Sequence, residues 1–335
     1  MPHELLVEVT RNDIVESQHF GSAVVCDAQG GVVEAWGDIE GLVFPRSAIK
    51  PIFAINLIES GAAEHYQLGD AELSLACSSH YGEETHQGLV ISWLKRIGLT
   101  EACLVCGAEL PLNRKSEHKL ISSGRSAGRS HHNCSGKHTG LLTVAQHLGM
   151  PIENYHFLEH PLQQLLLKTM SEMSGVDIGK EPMGTDGCGL PAFTMSLRQL
   201  GYATARFANP VNLPKERVEA IHRLQKAMRQ EPHYISGRGT IATDLIEVTK
   251  GRVLAKTGAE GMFIAMLPEQ GLGIALKIAD GNHRGCSVAI LAILNHLNVL
   301  SEEENKQLEA YARPTLLNSR GLEVGHIRPA ASWLP

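Results

Sequence analysis

The chain begins in strand texture. LLVEV at residues 5–9 and GSAVVCDAQGGVVEAWGD at 21–38 are short apolar runs broken by turn residues, and Asp27-Ala-Gln-Gly30-Gly31 joins two β-branched runs as a hairpin loop does. Three or four antiparallel strands are expected there. From about residue 50 to residue 245 the apolar spacing becomes helical, as from Gly136 to Leu148, closed by Gly149 and Pro151, and from Leu162 to Met173. Strand texture returns from Arg252 to Ala279, with three short runs separated by glycine-rich turns, followed by the apolar helix SVAILAILNHL. Ser301-Glu-Glu-Glu304 is a capping box that opens a last helix, and LLNSRGLEVGHIRP has the pattern of a final hairpin.

Strands at both termini with helices between them predict an α+β fold. One antiparallel sheet is assembled from the two ends of the chain, with flanking helices and an inserted helical lobe. The expected organisation is a single catalytic domain over residues 1–335. Residues 1–45 and 250–335 form its sheet lobe and 46–249 its mainly helical lobe.

Charge narrows the range of partners. Thirty Lys and Arg stand against 36 Asp and Glu, a formal charge of −6, with no long run of either sign, so neither a nucleic acid nor an anionic membrane has a footprint here. A small-molecule substrate is expected instead. The start MPHELLVEVTRND lacks a basic stretch followed by an apolar core, and the longest apolar run, Val288 to Leu294, is too short to span a bilayer. Seven scattered cysteines are poor material for a disulfide framework, and the expectation is a cytoplasmic protein.

The first candidate chemistry lies in FPRSAIKP at 44–51. Three residues separate Ser47 from Lys50, so in a helical turn they lie on nearly one face, and a lysine of lowered pKa activates a serine hydroxyl. Pro51 confines this turn to the start of a helix, where free backbone N–H groups stabilise an oxyanion. Lys256-Thr257-Gly258 follows on a strand, and S-x-x-K, helices and then K-T-G is the motif order of serine β-lactamases and penicillin-binding proteins. The S-D-N of those enzymes is missing. Ser79 before His80, and NCSGKHTG at 133–140, are the candidates for the middle position.

In NCSGKHTG, Asn133 or Ser135 is expected to cap a helix, with Cys134 and Lys137 on one face at its N-terminus, where the dipole favours a thiolate. Cys188 lies in the glycine-rich loop GTDGCGLP. Spacing alone favours Cys134 and Cys188 as buried structural residues over metal ligands. Cys103-Leu-Val-Cys106 lies in an apolar run and reads as core, a buried strand or helix segment.

RSAIKP, ACSSHYGE, NCSGKHTG, DGCGLP and AKTGAEG, in this order, together resemble the L-asparaginases of the Rhizobium etli type, the thermolabile or class 3 asparaginases. The resemblance runs from VEVTRND to VGHIRP, nearly the whole chain. It implies a fold like the serine β-lactamases and penicillin-binding proteins, a homodimer, and hydrolysis of L-asparagine to L-aspartate and ammonia. Two serine–lysine pairs are implied, Ser47 with Lys50 and Ser79 with Lys256. So is a zinc ion held by Cys134, Lys137 and Cys188, and the resemblance thereby reverses the structural reading that spacing favoured for those cysteines.

An amino-acid substrate also needs a carboxylate for its α-ammonium and donors for its α-carboxylate. Asp186 and Arg46 are the candidates, with His138 supporting either. Two other readings stay open: a glutaminase or other serine hydrolase on the same fold, and an inactive protein that binds zinc or an amino acid.

Overall fold

The computed structural model describes residues 3–334. By contact density the chain divides into two units, residues 1–48, 195–209 and 244–335, and residues 49–194 and 210–243.

The first unit is built on an antiparallel sheet of eight strands. Its order is Thr315–Leu317, Glu323–Pro329, Glu4–Arg11, Ile14–Asp27, Leu272–Ile278, Met262–Leu267 and Leu254–Gly258, with Val32–Trp36 pairing separately on Ile14–Asp27. The two ends of the chain do form one sheet, because Glu323–Pro329 and Leu272–Ile278 flank the N-terminal hairpin. The expected turn at 27–31 is present. The Asp27 N–H donates to the Gly31 carbonyl at 2.9 Å, and the Asp27 carboxylate accepts from the N–H groups of Gln29 and Gly31.

Every side chain of Met262–Leu267 is buried, so this strand is covered on both faces. The two cover helices can be assigned by alternation. Gly273 approaches the backbone of Thr204 and Ala205 in the helix Leu197–Ala208, whereas Ile278 meets Gly285 in the helix Arg284–His296. Positions 273 and 278 differ by an odd number, which places the two helices on opposite faces. The sheet unit therefore takes in Leu197–Ala208 as well as the terminal segments. At its far end Ser301 and Glu304 form the expected capping box, with the Glu304 carboxylate accepting from the Ser301 N–H at 2.9 Å.

The second unit is helical, with a small hairpin of Met183–Thr185 and Pro191–Phe193. Residues 50–57 of its helix Lys50–Glu59 are all buried, as are residues 135–145 of Ser135–His147. Close packing of the latter depends on Gly136, since a Cβ there would run into the Leu75 carbonyl of the helix Asp70–Ala76. Two local expectations are corrected. The cap of Ser135–His147 is Cys134, because the Ser135 hydroxyl is taken up by the Ser130 carbonyl and His80. The 103–106 run is a 3-10 turn, Glu101–Cys103, followed by loop. Its carbonyls at Ala102 and Leu104 are met by the Arg129 guanidinium, which replaces a strand or helix ladder. Cys106 is buried and Cys103 half-buried.

Candidate active site

In the sheet unit the candidate groups are placed by backbone geometry. Arg46 and Ser47 open the 3-10 turn Arg46–Ile49, which runs directly into the helix Lys50–Glu59, with Pro51 in its first turn as the sequence requires. Arg46 has φ +52°, a left-handed backbone that a non-glycine residue adopts at a cost of about 1 kcal/mol or more. Lys256 is buried on Leu254–Gly258, at one edge of the sheet, and donates to the Thr257 carbonyl at 2.6 Å. Gly258, two residues on, shares its face. A Cβ at Gly258 would lie 2.6 Å from the Pro45 carbonyl and 3.1 Å from the Ala48 nitrogen. The glycine thus admits the chain's own Pro45–Ala48 segment, so Lys256 and the Ser47 turn stand on one face of the same edge strand.

In the helical unit the groups are placed by charge. Lys50 is buried, and its Nζ donates to the Ser78 carbonyl at 2.6 Å, to Ser79 Oγ at 2.9 Å and to Cys134 Sγ at 3.1 Å. Three acceptors match the three hydrogens of an ammonium. The serine hydroxyl that Lys50 meets within this unit is therefore that of Ser79. The loop carrying Ser79 is fixed by backbone bonds, with the Ser79 N–H on the Ile235 carbonyl and the His80 N–H on the Asn133 carbonyl.

Cys134, Lys137, Cys188 and Asp186 form one cluster beside Lys50. Lys137 Nζ donates to Cys188 Sγ at 3.0 Å. The single S–H of Cys188 faces the Cys134 sulfur and Asp186 Oδ2, the latter at 3.4 Å. Within the pair, Cys134 is the sulfur driven toward the thiolate form. The hydrogen bond from Cys188, then the charges of Lys50 and Lys137, hold it well below an ordinary thiol despite burial. That same hydrogen bond, then burial, pushes the Cys188 thiol up. Burial disfavours the Lys137 ammonium, but the two sulfurs and Asp186 together outweigh it and raise the group above an ordinary lysine.

Two further contacts escape sequence reasoning. His132 Nδ1 accepts from the Cys134 N–H at 3.0 Å, and its Nε2 faces Glu109 at 3.7 Å. The pairing of His132 with Cys134 two residues later was available as a signal in HHNC. Tyr155, which lies against His138, carried none: the Tyr155 hydroxyl is 2.6 Å from His138 Nδ1 and accepts from the Val105 N–H at 3.0 Å. Burial, then the neighbouring Lys137 charge, keeps the His138 imidazole neutral. Burial and then His86 do the same for His80, which stacks on His86 with ring centroids 5.0 Å apart.

Among the described residues no group of three or more histidine, cysteine or carboxylate side chains is placed to hold a metal ion. A metal at this cluster would have Cys134 and Cys188 as thiol donors and depend on Lys137 for a third.

An α+β fold whose buried polar chemistry is made of serine, lysine and cysteine defines the class of protein. The sequence profile of L-asparaginase II matches residues 7–329, and the chain belongs to that family, which places it among the amidohydrolases. A comparison with curated protein sequences found no match. Among solved structures, Mglu in its native form in 4.3 M NaCl aligns at 14% identity and a TM-score of 0.48, over 84% of this chain and 62% of that one. A β-lactamase from Mycobacterium bovis aligns at 13% identity and a TM-score of 0.42, over 82% of this chain and 94% of that one. This chain thus spans about three fifths of the length of Mglu. No helix among the described residues is long and apolar enough to cross a membrane.

Proposed function

We propose that this protein hydrolyses L-asparagine to L-aspartate and ammonia, with lysine-activated serine as nucleophile. The observation that carries the reading is the hydrogen bond of 2.9 Å from buried Lys50 to half-buried Ser79 in a chain of the asparaginase family. Ser47 attacks the side-chain amide carbon and gives its proton to Lys50, which acts as base once it has released one of its three ammonium protons. The oxyanion is met by N–H groups at the start of the Lys50–Glu59 helix. Lys50 returns the proton through Ser79 to the departing nitrogen, which leaves as ammonia, and the acyl group stays on Ser47 as an aspartyl ester. Water opens the ester along the same proton route in reverse. Lys256 adds positive charge to the second pair. Asp186 takes the α-ammonium and Arg46 the α-carboxylate, with His138 supporting either.

The same bond to Lys50 favours a second reading, in which Ser79 is the serine that attacks. Acyl trapping separates the two: the aspartyl adduct is expected on the peptide carrying Ser47, and an adduct on Ser79 with Ser47→Ala still active would reassign the nucleophile. Ammonia release from asparagine and glutamine tests the substrate. Equal turnover of glutamine would make the protein a glutaminase, and asparagine binding without ammonia release, even with zinc present, would make it a binding protein.

Zinc is part of the proposal. The donor types fit it, since two sulfurs that share one thiol proton converge with the Lys137 ammonium, and a divalent cation displaces the protons they hold. When bound, it would hold Cys134, Lys137 and Cys188 in place, and with two thiolates it carries little residual charge for making hydroxide. Metal content of the purified protein and of Cys188→Ser checks this, with loss of zinc expected in the variant. A homodimer and a cytoplasmic location complete the reading. Light scattering tests the first, and fractionation of the native cell tests the second.

A further inference from the structure

His138 and Tyr155 are both fully buried, and hydrogen-bond accounting fixes where their protons sit. The Tyr155 oxygen accepts from the Val105 N–H at 3.0 Å, leaving the phenol one proton to donate. His138 Nδ1 stands 2.6 Å away. If Nδ1 carried a hydrogen it would point at the phenol, and the Tyr155 proton would lose that acceptor. With Tyr155 donating, Nδ1 is the bare nitrogen and the imidazole proton is on Nε2. That Nε2 is buried and has no hydrogen-bond partner among the described residues. A buried donor left unmade costs about 1–3 kcal/mol, which a ligand acceptor would return.

We infer that Tyr155 is a positioning residue that holds His138 as an Nε2–H donor, and that the acceptor this donor takes is a carboxylate oxygen of the ligand. The asparagine reading left His138 supporting either end of the amino acid. A fixed donor serves the α-carboxylate and cannot serve the α-ammonium. This assignment of the carboxylate rests on that reading, whereas the tautomer rests on Tyr155 and Val105 alone.

The test uses full-length protein labelled with nitrogen-15 at histidine, with His138 assigned by the signal missing from His138→Gln. In the wild type, long-range nitrogen–proton spectra are expected to give His138 protonated at Nε2 only. A proton on Nδ1 would overturn the inference. In Tyr155→Phe the Nδ1 nitrogen is expected to lose its hydrogen-bond shift and both tautomers to appear, with KM for asparagine rising about 3–10-fold and kcat within about twofold. If that variant misfolds, the wild-type spectrum still decides the tautomer. Added aspartate is expected to shift the Nε2–H signal, and β-alanine, which lacks the α-carboxylate, is not. A shift with acetate but none with aspartate would end the asparagine reading and keep the carboxylate site. No shift with either would overturn the inference itself.

Discussion

The two units hold their chemical groups by different means. In the sheet unit, Arg46, Ser47 and Lys256 are placed by backbone: a turn with one left-handed residue, an edge strand, and a glycine that lets the two come close. In the helical unit, Lys50, Lys137, Cys134 and Cys188 are placed by one another. Two buried ammonium groups and a shared thiol proton replace the water that each would otherwise need. A side chain can therefore be removed from the first arrangement with little structural consequence. In the second arrangement the same removal strands a buried charge.

Ser47→Ala is the strongest separation of the two. Turnover of asparagine is expected to fall by about a thousandfold or more while the unfolding midpoint stays within error. Near-normal turnover would remove Ser47 from the chemistry. Lys137→Met is expected to act the other way round, costing about 3–5 kcal/mol in urea unfolding because the sulfurs lose their counter-charge. An unchanged midpoint would erase the distinction between the units. Gly258→Ala lies between these extremes, at about 1–3 kcal/mol, since its Cβ would meet the Pro45 carbonyl and displace the turn that bears Ser47. Here kcat should suffer more than stability does.

Acid should weaken the helical unit. His80, His86 and His138 are held below the ordinary histidine value of 6.5, chiefly by burial, so the unfolded chain takes up their protons first. Their contribution is complete above pH 6.5 and is lost as pH falls through the folded values, with a slope of about 1.4 kcal/mol per pH unit for each. The depressed Cys134 thiol works in the same direction, whereas the raised Lys137 matters only as pH climbs above 10.5. Thermal unfolding between pH 7 and pH 5 checks the slope, and a flat profile would mean that these histidines are not neutral and buried. The smallest effect is expected at Ser301→Ala, about 1 kcal/mol for the lost cap, with turnover untouched.

The parts of the fold that read directly from the chain are those set by neighbours in sequence. Pro51 located the Ser47 turn at a helix start, Gly30-Gly31 the first hairpin, and Ser301 with Glu304 the last helix. The alternating runs at both termini were enough to expect one shared sheet. Residues 195–209 did not read as part of the sheet unit, because their helical spacing says that one face is buried but not against what. The 103–106 run failed for a related reason: only Leu104 and Cys106 are buried, and a distant arginine serves its carbonyls.

The candidate site divides in the same way. Residue types at short spacing named the candidate serines, lysines and cysteines, because nucleophile, base and thiolate are properties of the side chain itself. The sequence by itself thus determined the family, the sheet drawn from both ends, and the list of groups able to do chemistry. Only the tertiary structure decided that Lys50 meets Ser79 and Cys134, that the Cys134 thiol is held down while that of Cys188 is pushed up, and that Tyr155 sets the tautomer of His138. Hydrogen bonds and burial join residues 17 to 84 positions apart, and a proton's position depends on every donor and acceptor packed around it.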